Sequence, residues 1–383
     1  MKNTKWNKLK NGISLTAVVL IGLGCVVRSE KNPAITLKDA FEGKFYIGAA
    51  MGRNHINETD ASTMEVLGTH FNSIVAENVM KSGMLQAKEG EFNFSQADKF
   101  VEYGKKNNLH VVGHTLIWHS QAPRWFFTDA EGKDVSPEVL AKRMETHIKT
   151  VVGRYKGQVK GWDVVNEAIL DDGSWRKSKF FEILGEDFIK LAFQYAHEAD
   201  PEAELYYNDY SMANSGKRAG VVKMVKDLQA QEIKIDGIGM QGHLGLEYPT
   251  IEEFEKSILA YSGLGVTVMI TEMDLSVLPS PRGDMGADVS TNVDYQQSLN
   301  PYTEGLPDDV QKKFDARYLA FFKLFLDHHD KISRVTLWGV NDGDSWKNGW
   351  PVRGRTDYPL LFNRDNSPKT VVNEIIQLAA KYE

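Results

Sequence analysis

Eight times along the chain, a short apolar run suited to a buried strand gives way to a segment with helical spacing. The runs are Phe45–Ala49, Phe71–Ala76, His110–Leu116, Gly161–Val165, Glu204–Tyr207, Gly237–Met240, Val266–Thr271 and Val335–Gly339. Strands this uniformly apolar are covered on both faces, as parallel strands are. Helix signals lie between them. Ser136 followed by Pro137 and Glu138 is an N-cap with proline at the first helical position, and opens a helix to about Arg154. Phe188, Leu191, Ala192 and Tyr195 recur at helical spacing within Glu186–Ala199, and Asp308–His329 and Lys369–Lys381 have the same character. Strand–helix alternation repeated eight times predicts an α/β protein, a (β/α)8 TIM barrel in a single domain. A doubly wound open sheet is the alternative that the same alternation permits.

Composition narrows the partners. Of 383 residues, 42% are hydrophobic and 25% charged, the proportions of a soluble globular protein. A formal net charge of −7 leaves no basic footprint, so no nucleic-acid partner is expected. Eight Trp and fourteen Tyr supply rings that fill cores and also stack on the apolar faces of ligands, sugars included.

The first residues follow a different rule. Lys2, Lys5, Lys8 and Lys10 precede the apolar run Ile13–Leu23, which ends at Gly24 and Cys25. A basic segment followed by an apolar run of this length is an export signal, too short for a membrane span. Cys25 is the single cysteine and stands where a bacterial lipoprotein is cleaved and acylated, although Gly22–Leu23–Gly24 matches that motif loosely. The expectation is a signal peptide over residues 1–25, a linker over 26–36 and a catalytic domain over 37–383. Two destinations stay open: a lipid-anchored protein of the cell surface or periplasm, and a plainly secreted one. One cysteine excludes an internal disulfide.

In a (β/α)8 barrel the functional groups gather at the C-terminal ends of the strands. Polar and aromatic residues stand at those ends in this sequence. The second run ends in Glu77 and Asn78, with Lys81 behind; the third delivers His114, Trp118, His119 and Gln121. The fourth ends in Asn166 and Glu167, the fifth in Asn208 and Asp209, and the sixth leads to Gln241 and His243. Glu272 and Asp274 close the seventh; Trp338, Asn341, Asp342 and Trp346 follow the eighth. Any one of these alone would be an ordinary helix cap or turn residue. Seven strand ends behaving alike point to a site.

Glu167 and Glu272 come from strands that face each other across such a rim. Two carboxyl groups flanking a bond are what glycoside hydrolysis needs, one as acid and the other as nucleophile or base. Asp274 and His243 would form a chain behind Glu272 that holds it ionised. Other chemistries fit poorly. Gly237-Ile238-Gly239-Met240-Gln241-Gly242 has the spacing of a dinucleotide loop, but it lies at the end of a strand and no helix opens after it. His114 and His119 are five apart on a strand, without the helical spacing of a zinc protease, so no metal is expected. His328 and His329 sit late in a charged helix and are expected to be solvated.

The segments FNSIVAENVMK, GHTLIWHSQ, WDVVNEAI, YYNDY, QGHL, ITEMD and VTLWGVNDGDSW, in that order, resemble the family 10 glycoside hydrolases, the endo-β-1,4-xylanases. The resemblance extends from about Leu37 to the C-terminus. It implies Glu167 as general acid/base and Glu272 as nucleophile. It implies Glu77, Asn78, Lys81, His114, Trp118 and Gln121 as groups that hold the sugar on the glycone side. Asn166 matches the residue that binds the 2-hydroxyl, and Gln241 and His243 the group around the nucleophile, with Asp274 supporting His243. Trp338 and Trp346 match aromatic walls of the same pocket.

The chemistry implied is a retaining double displacement on xylan and xylo-oligosaccharides, with no cofactor, in a monomer. Retention carries the expectation of carboxyl groups about 5–5.5 Å apart. An exo-acting xylosidase, a cellulase-like enzyme and an inactive xylan-binding protein are the alternatives. One segment departs from the pattern. Residues Pro279–Pro307, rich in Gly, Pro, Ser, Asn and Asp, make a loop longer than the resemblance implies. Either it borders the aglycone side and tunes binding of decorated xylan, or it is a surface insertion.

Overall fold

A computed structural model describes residues 35–280, 287–288 and 293–382. The expected leader, Cys25 and nearly all of the linker fall outside the described residues, as does part of the 279–307 loop.

Among the described residues there are nine parallel strands: β1 (Tyr46–Met51), β2 (Ser73–Ala76), β3 (His110–Trp118), β4 (Gly161–Asn166), β5 (Glu204–Asp209), β6 (Gly237–Met240), β7 (His243–Gly245), β8 (Thr267–Ser276) and β9 (Ile332–Leu337). Strand β1 pairs with β2 and also with β9, β9 with β8, and β8 with β6. Eight strands therefore close on themselves, and no open edge is left for a doubly wound sheet. The ninth, β7, has three residues, too few to show a period in the sequence, and it pairs with β8 outside the closed ring.

The helices fall where capping chemistry puts them. Ser136 caps Pro137–Arg154 by accepting a hydrogen bond from the Val139 amide. Helices Asp187–Ala199, Asp308–Asp327 and Thr370–Ala379 occupy the other three segments named from periodicity, each within two residues of the expected ends. Their apolar faces pack against the outer surface of the barrel in one continuous core. The barrel interior has its own small core of Ala50, Val75, Val112, Tyr206, Met269 and Trp338. It is filled by side chains, and only its C-terminal rim is available for a ligand.

Register at that rim decides which residues meet. Asn166 is level with Trp118 on one side and Asn208 on the other. His114 is level with Asp163, and His243 with Asp274. Backbone bonds carry the ladder one residue past the ends of β4 and β6: the amides of Glu167 and Glu272 donate to the carbonyls of Asn208 and Gln241 at 2.9 and 2.8 Å. Both glutamates are thus fixed by the sheet itself.

Candidate active site

A cleft of about 660 Å³ opens at the C-terminal rim. Its lining is Glu77, Asn78, Lys81, His114, Trp118, Gln121, Asn166, Glu167, Gln241, His243, Glu272, Ala287, Trp338 and Trp346. The structure brings together all thirteen residues expected to hold substrate or act on it, and adds Ala287 from the long loop. Asp274 lies just behind, with no exposure.

The two glutamates are buried alike and held differently. Glu167 Oε2 accepts a hydrogen bond from Trp118 Nε1 at 2.8 Å, and Oε1 accepts from Gln241 Nε2 at 3.0 Å and Asn166 Nδ2 at 3.2 Å. Burial pushes its pKa from an ordinary 4.5 to about 7, reinforced by the negative charges of Asp209 and Glu272. Glu272 moves the opposite way. Burial again favours its neutral form, but hydrogen bonding by His243 and the charges of His114 and His243 outweigh it, with Asn208 adding to them. The result is a carboxyl held below its ordinary range. Asn208 Nδ2 donates to Glu272 Oε1 at 2.8 Å, and His243 Nε2 lies 3.3 Å from Glu272 Oε2.

Behind the second glutamate, His243 Nδ1 lies 3.0 Å from Asp274 Oδ2. Asp274 also accepts from Trp346 Nε1 at 2.7 Å and has Lys347 Nζ at 3.8 Å. Burial alone would lower the pKa of His243; the Asp274 charge and its contacts with both carboxylates more than reverse this and raise it. His243 thus stands between two carboxylates, an arrangement that favours the ionised form of Glu272.

The rest of the cleft is polar on one wall and aromatic on another. Lys81 Nζ donates to Asn78 Oδ1 at 2.9 Å and stands 4.8 Å from the centroid of the Trp118 ring. Burial lowers its pKa, opposed by the charges of Glu272, Glu77 and Glu167. Glu77 is pushed up by burial. His114 Nδ1 is 2.9 Å from Asp163 Oδ2, and the His114 ring meets Trp338 edge-on at 5.3 Å. Trp346 packs on His243 at 5.0 Å and on Trp350 at 4.6 Å.

Some rim residues named from sequence have other work. Asn341 closes a turn by accepting from the amides of Gly343 and Asp344, and Asp342 pairs with Lys369 at 2.9 Å. Asp209 is buried in a pair with Lys217, and His119 stacks edge-on against Trp118; neither lines the cleft. His328 is not freely solvated, since its Nε2 lies 2.8 Å from Glu255 Oε1. Two residues matter more than the sequence suggested. Asn208 is in sequence an ordinary strand-end amide, and Asp163 a lone charge in the middle of a buried strand; their partners Glu272 and His114 are set by register. Among the described residues no cluster of three or more His, Cys, Asp or Glu is arranged to hold a metal ion.

The long loop touches this site. Ala287 lines the cleft, Asp288 Oδ2 lies 3.3 Å from Arg176 Nη1, and Val293 bridges to Val352. Arg176 Nε in turn donates to the Glu167 carbonyl at 2.9 Å.

Comparison with known proteins agrees with this geometry. The profile of glycosyl hydrolase family 10 matches residues 36–378. Endo-1,4-beta-xylanase A of Xylanibacter ruminicola is 51% identical over 343 residues, covering 90% of this chain and 93% of that protein. An endo-1,4-beta-xylanase of Geobacillus stearothermophilus is 41% identical over 352 residues, covering 90% and 98%. A solved family 10 endoxylanase from a sugarcane soil metagenome superposes with a TM-score of 0.87 at 44% identity, covering 89% of this chain and 99% of that one. The chain belongs to glycosyl hydrolase family 10.

Proposed function

We propose that this chain is an endo-1,4-β-xylanase in which Glu272 is the nucleophile and Glu167 the general acid/base. The observation that carries the assignment is the opposite ionisation of two carboxyl groups in one cleft. Glu167 is raised to about 7 and starts protonated; Glu272 is lowered and starts as the anion. Environments that push two titratable groups apart in this way assign the acid and the base.

Glu272 attacks the anomeric carbon while Glu167 protonates the departing glycosidic oxygen, and a covalent glycosyl–enzyme forms. Once glycosylated, Glu272 carries no charge, so the repulsion that helped hold the proton on Glu167 is gone. Glu167 then takes a proton from the incoming water, which releases the sugar with retained configuration. Asn166, hydrogen-bonded to the acid/base Glu167, binds the 2-hydroxyl; Glu77, Asn78, Lys81, His114, Trp118 and Gln121 hold the glycone sugars. Gln241 orients Glu167, His243 and Asp274 support Glu272, and Trp338 and Trp346 supply apolar walls.

Digestion of defined xylans tests this. Wild-type protein should yield a ladder of xylo-oligosaccharides, whereas an exo-acting enzyme would give mainly one small product. Glu272→Ala should abolish hydrolysis; undiminished activity in that variant would overturn the assignment.

The basic residues Lys2 to Lys10 and the apolar run Ile13–Leu23 support export, with Cys25 as a lipid attachment point. Loss of palmitate labelling in Cys25→Ala, against labelling of the unaltered chain, is the expected result; an unlabelled parent chain would point to plain secretion.

A further inference from the structure

Glu167 has a backbone φ of 59°, in the left-handed region that costs a residue with a side chain about 1 kcal/mol or more. Something has to hold it there. The next two amides, of Ala168 and Ile169, each donate to the Tyr207 hydroxyl at 3.0 Å. That hydroxyl donates to Asp209 Oδ2 at 2.5 Å, and Asp209 Oδ1 accepts from Lys217 Nζ at 2.8 Å. Tyr207, Asp209 and Lys217 have no exposure at all. Lys217 Nζ also lies 3.2 Å from Asp171 Oδ1, in the turn just beyond Glu167. The helix bearing Lys217, Ser215–Gln229, presses on that turn: a Cβ at Gly220 would stand 2.4 Å from the Gly173 carbonyl oxygen.

Buried charges weaken a fold unless every partner is present, and apolar residues of like volume are often as stable. A fully buried acid, base and phenol directly behind Glu167 therefore call for a reason beyond stability. We propose that Tyr207, Asp209 and Lys217 form a positioning device for the acid/base, fixing the backbone that aims the Glu167 carboxyl at the departing oxygen. The inference rests on the role given to Glu167 above. Asp209 supports it in a second way: after burial, its charge is the largest influence keeping the proton on Glu167.

General acid catalysis matters for poor leaving groups and little for good ones, since a dinitrophenolate departs without a proton. The test is kcat/KM of Tyr207→Phe on phenyl and 2,4-dinitrophenyl β-xylobioside, with Glu167→Ala alongside. The expected result is a loss of about 10–100-fold on the phenyl substrate and little change on the dinitrophenyl one. The ratio of the two does not depend on how much of the variant is folded. The double variant Asp209→Asn/Lys217→Met, which removes the charge pair together, should show the same selective loss. Equal losses on both substrates in Tyr207→Phe, or none on either, would overturn the proposal. If Glu167→Ala itself shows no such selectivity, the acid/base assignment falls instead.

Discussion

Asn208 and Glu272 are joined by a hydrogen bond of 2.8 Å from the Asn208 amide to Glu272 Oε1, and the same nitrogen lies 2.9 Å from Asn166 Oδ1. Asn208 Oδ1 accepts from Thr271 Oγ1 at 2.6 Å, which fixes the orientation of the side-chain amide. One buried side chain thus ties the proposed nucleophile to the residue assigned to the 2-hydroxyl. A hydrogen bond to a charged group contributes about 1.5–3 kcal/mol. Asn208→Ala should therefore lower kcat/KM on xylo-oligosaccharides by about 10–100-fold. Losing a donor to the carboxylate also raises the pKa of Glu272, so the acid limb of the pH profile should move to higher pH. An acid limb unchanged in this variant would show that Asn208 does not act through the charge of Glu272.

Trp118 donates its indole N–H to Glu167 Oε2, a bond that favours the ionised form. Trp118→Phe keeps an aromatic ring beside Lys81 and removes that donor. The pKa of Glu167, about 7 in the intact protein, should rise, and the alkaline limb of kcat/KM against pH should move upward with it. The acid limb, set by Glu272, should stay where it is. Profiles of wild type and variant on one soluble substrate check both statements.

The same carboxyl makes a prediction about stability. An acid whose pKa is raised on folding binds more protons folded than unfolded between its two pKa values, so stability falls as pH rises through that window. For Glu167 the window runs from about 4.5 to about 7. Glu167→Gln removes the penalty. The variant should gain stability over wild type as pH rises from 5 to 8, by up to about 3 kcal/mol above pH 7. Thermal melts across that range read the difference; a constant offset would mean that Glu167 is not the group responsible.

Much of this was legible because a parallel barrel imposes a simple rule. Side chains at the C-terminal ends of strands share one face, so Glu77, His114, Glu167, Gln241, Glu272 and Trp338 can be gathered from the sequence without knowing any distance. Contacts that depend on register were not legible. Asn208 looked like any strand-end amide until the sheet placed it between Asn166 and Glu272. Strand β7 has only three residues, too few for periodicity, yet its pairing sets His243 level with Asp274. Asn341 and Asp342 show the reverse error: strand-end polarity is the same for a turn residue and a ligand, and only the partners in space tell them apart.

Gly113 offers a test of the frame rather than the chemistry. It lies in β3, level with Trp162 in β4, and a Cβ added there would stand 2.1 Å from the Trp162 ring. That ring is 1% exposed and is packed between the barrel and its outer helices, so it has nowhere to move. Overpacking of this kind costs about 1–3 kcal/mol. Gly113→Ala should therefore lower the melting temperature by several degrees, and adding Trp162→Leu should recover part of the loss. The two changes are then non-additive, as contacting residues are. His114, which follows Gly113, reaches the cleft through its pairing with Asp163, so the displaced strand should also raise KM for xylo-oligosaccharides. A fall in melting temperature with KM unchanged would show that the rim is insulated from strain one residue below it.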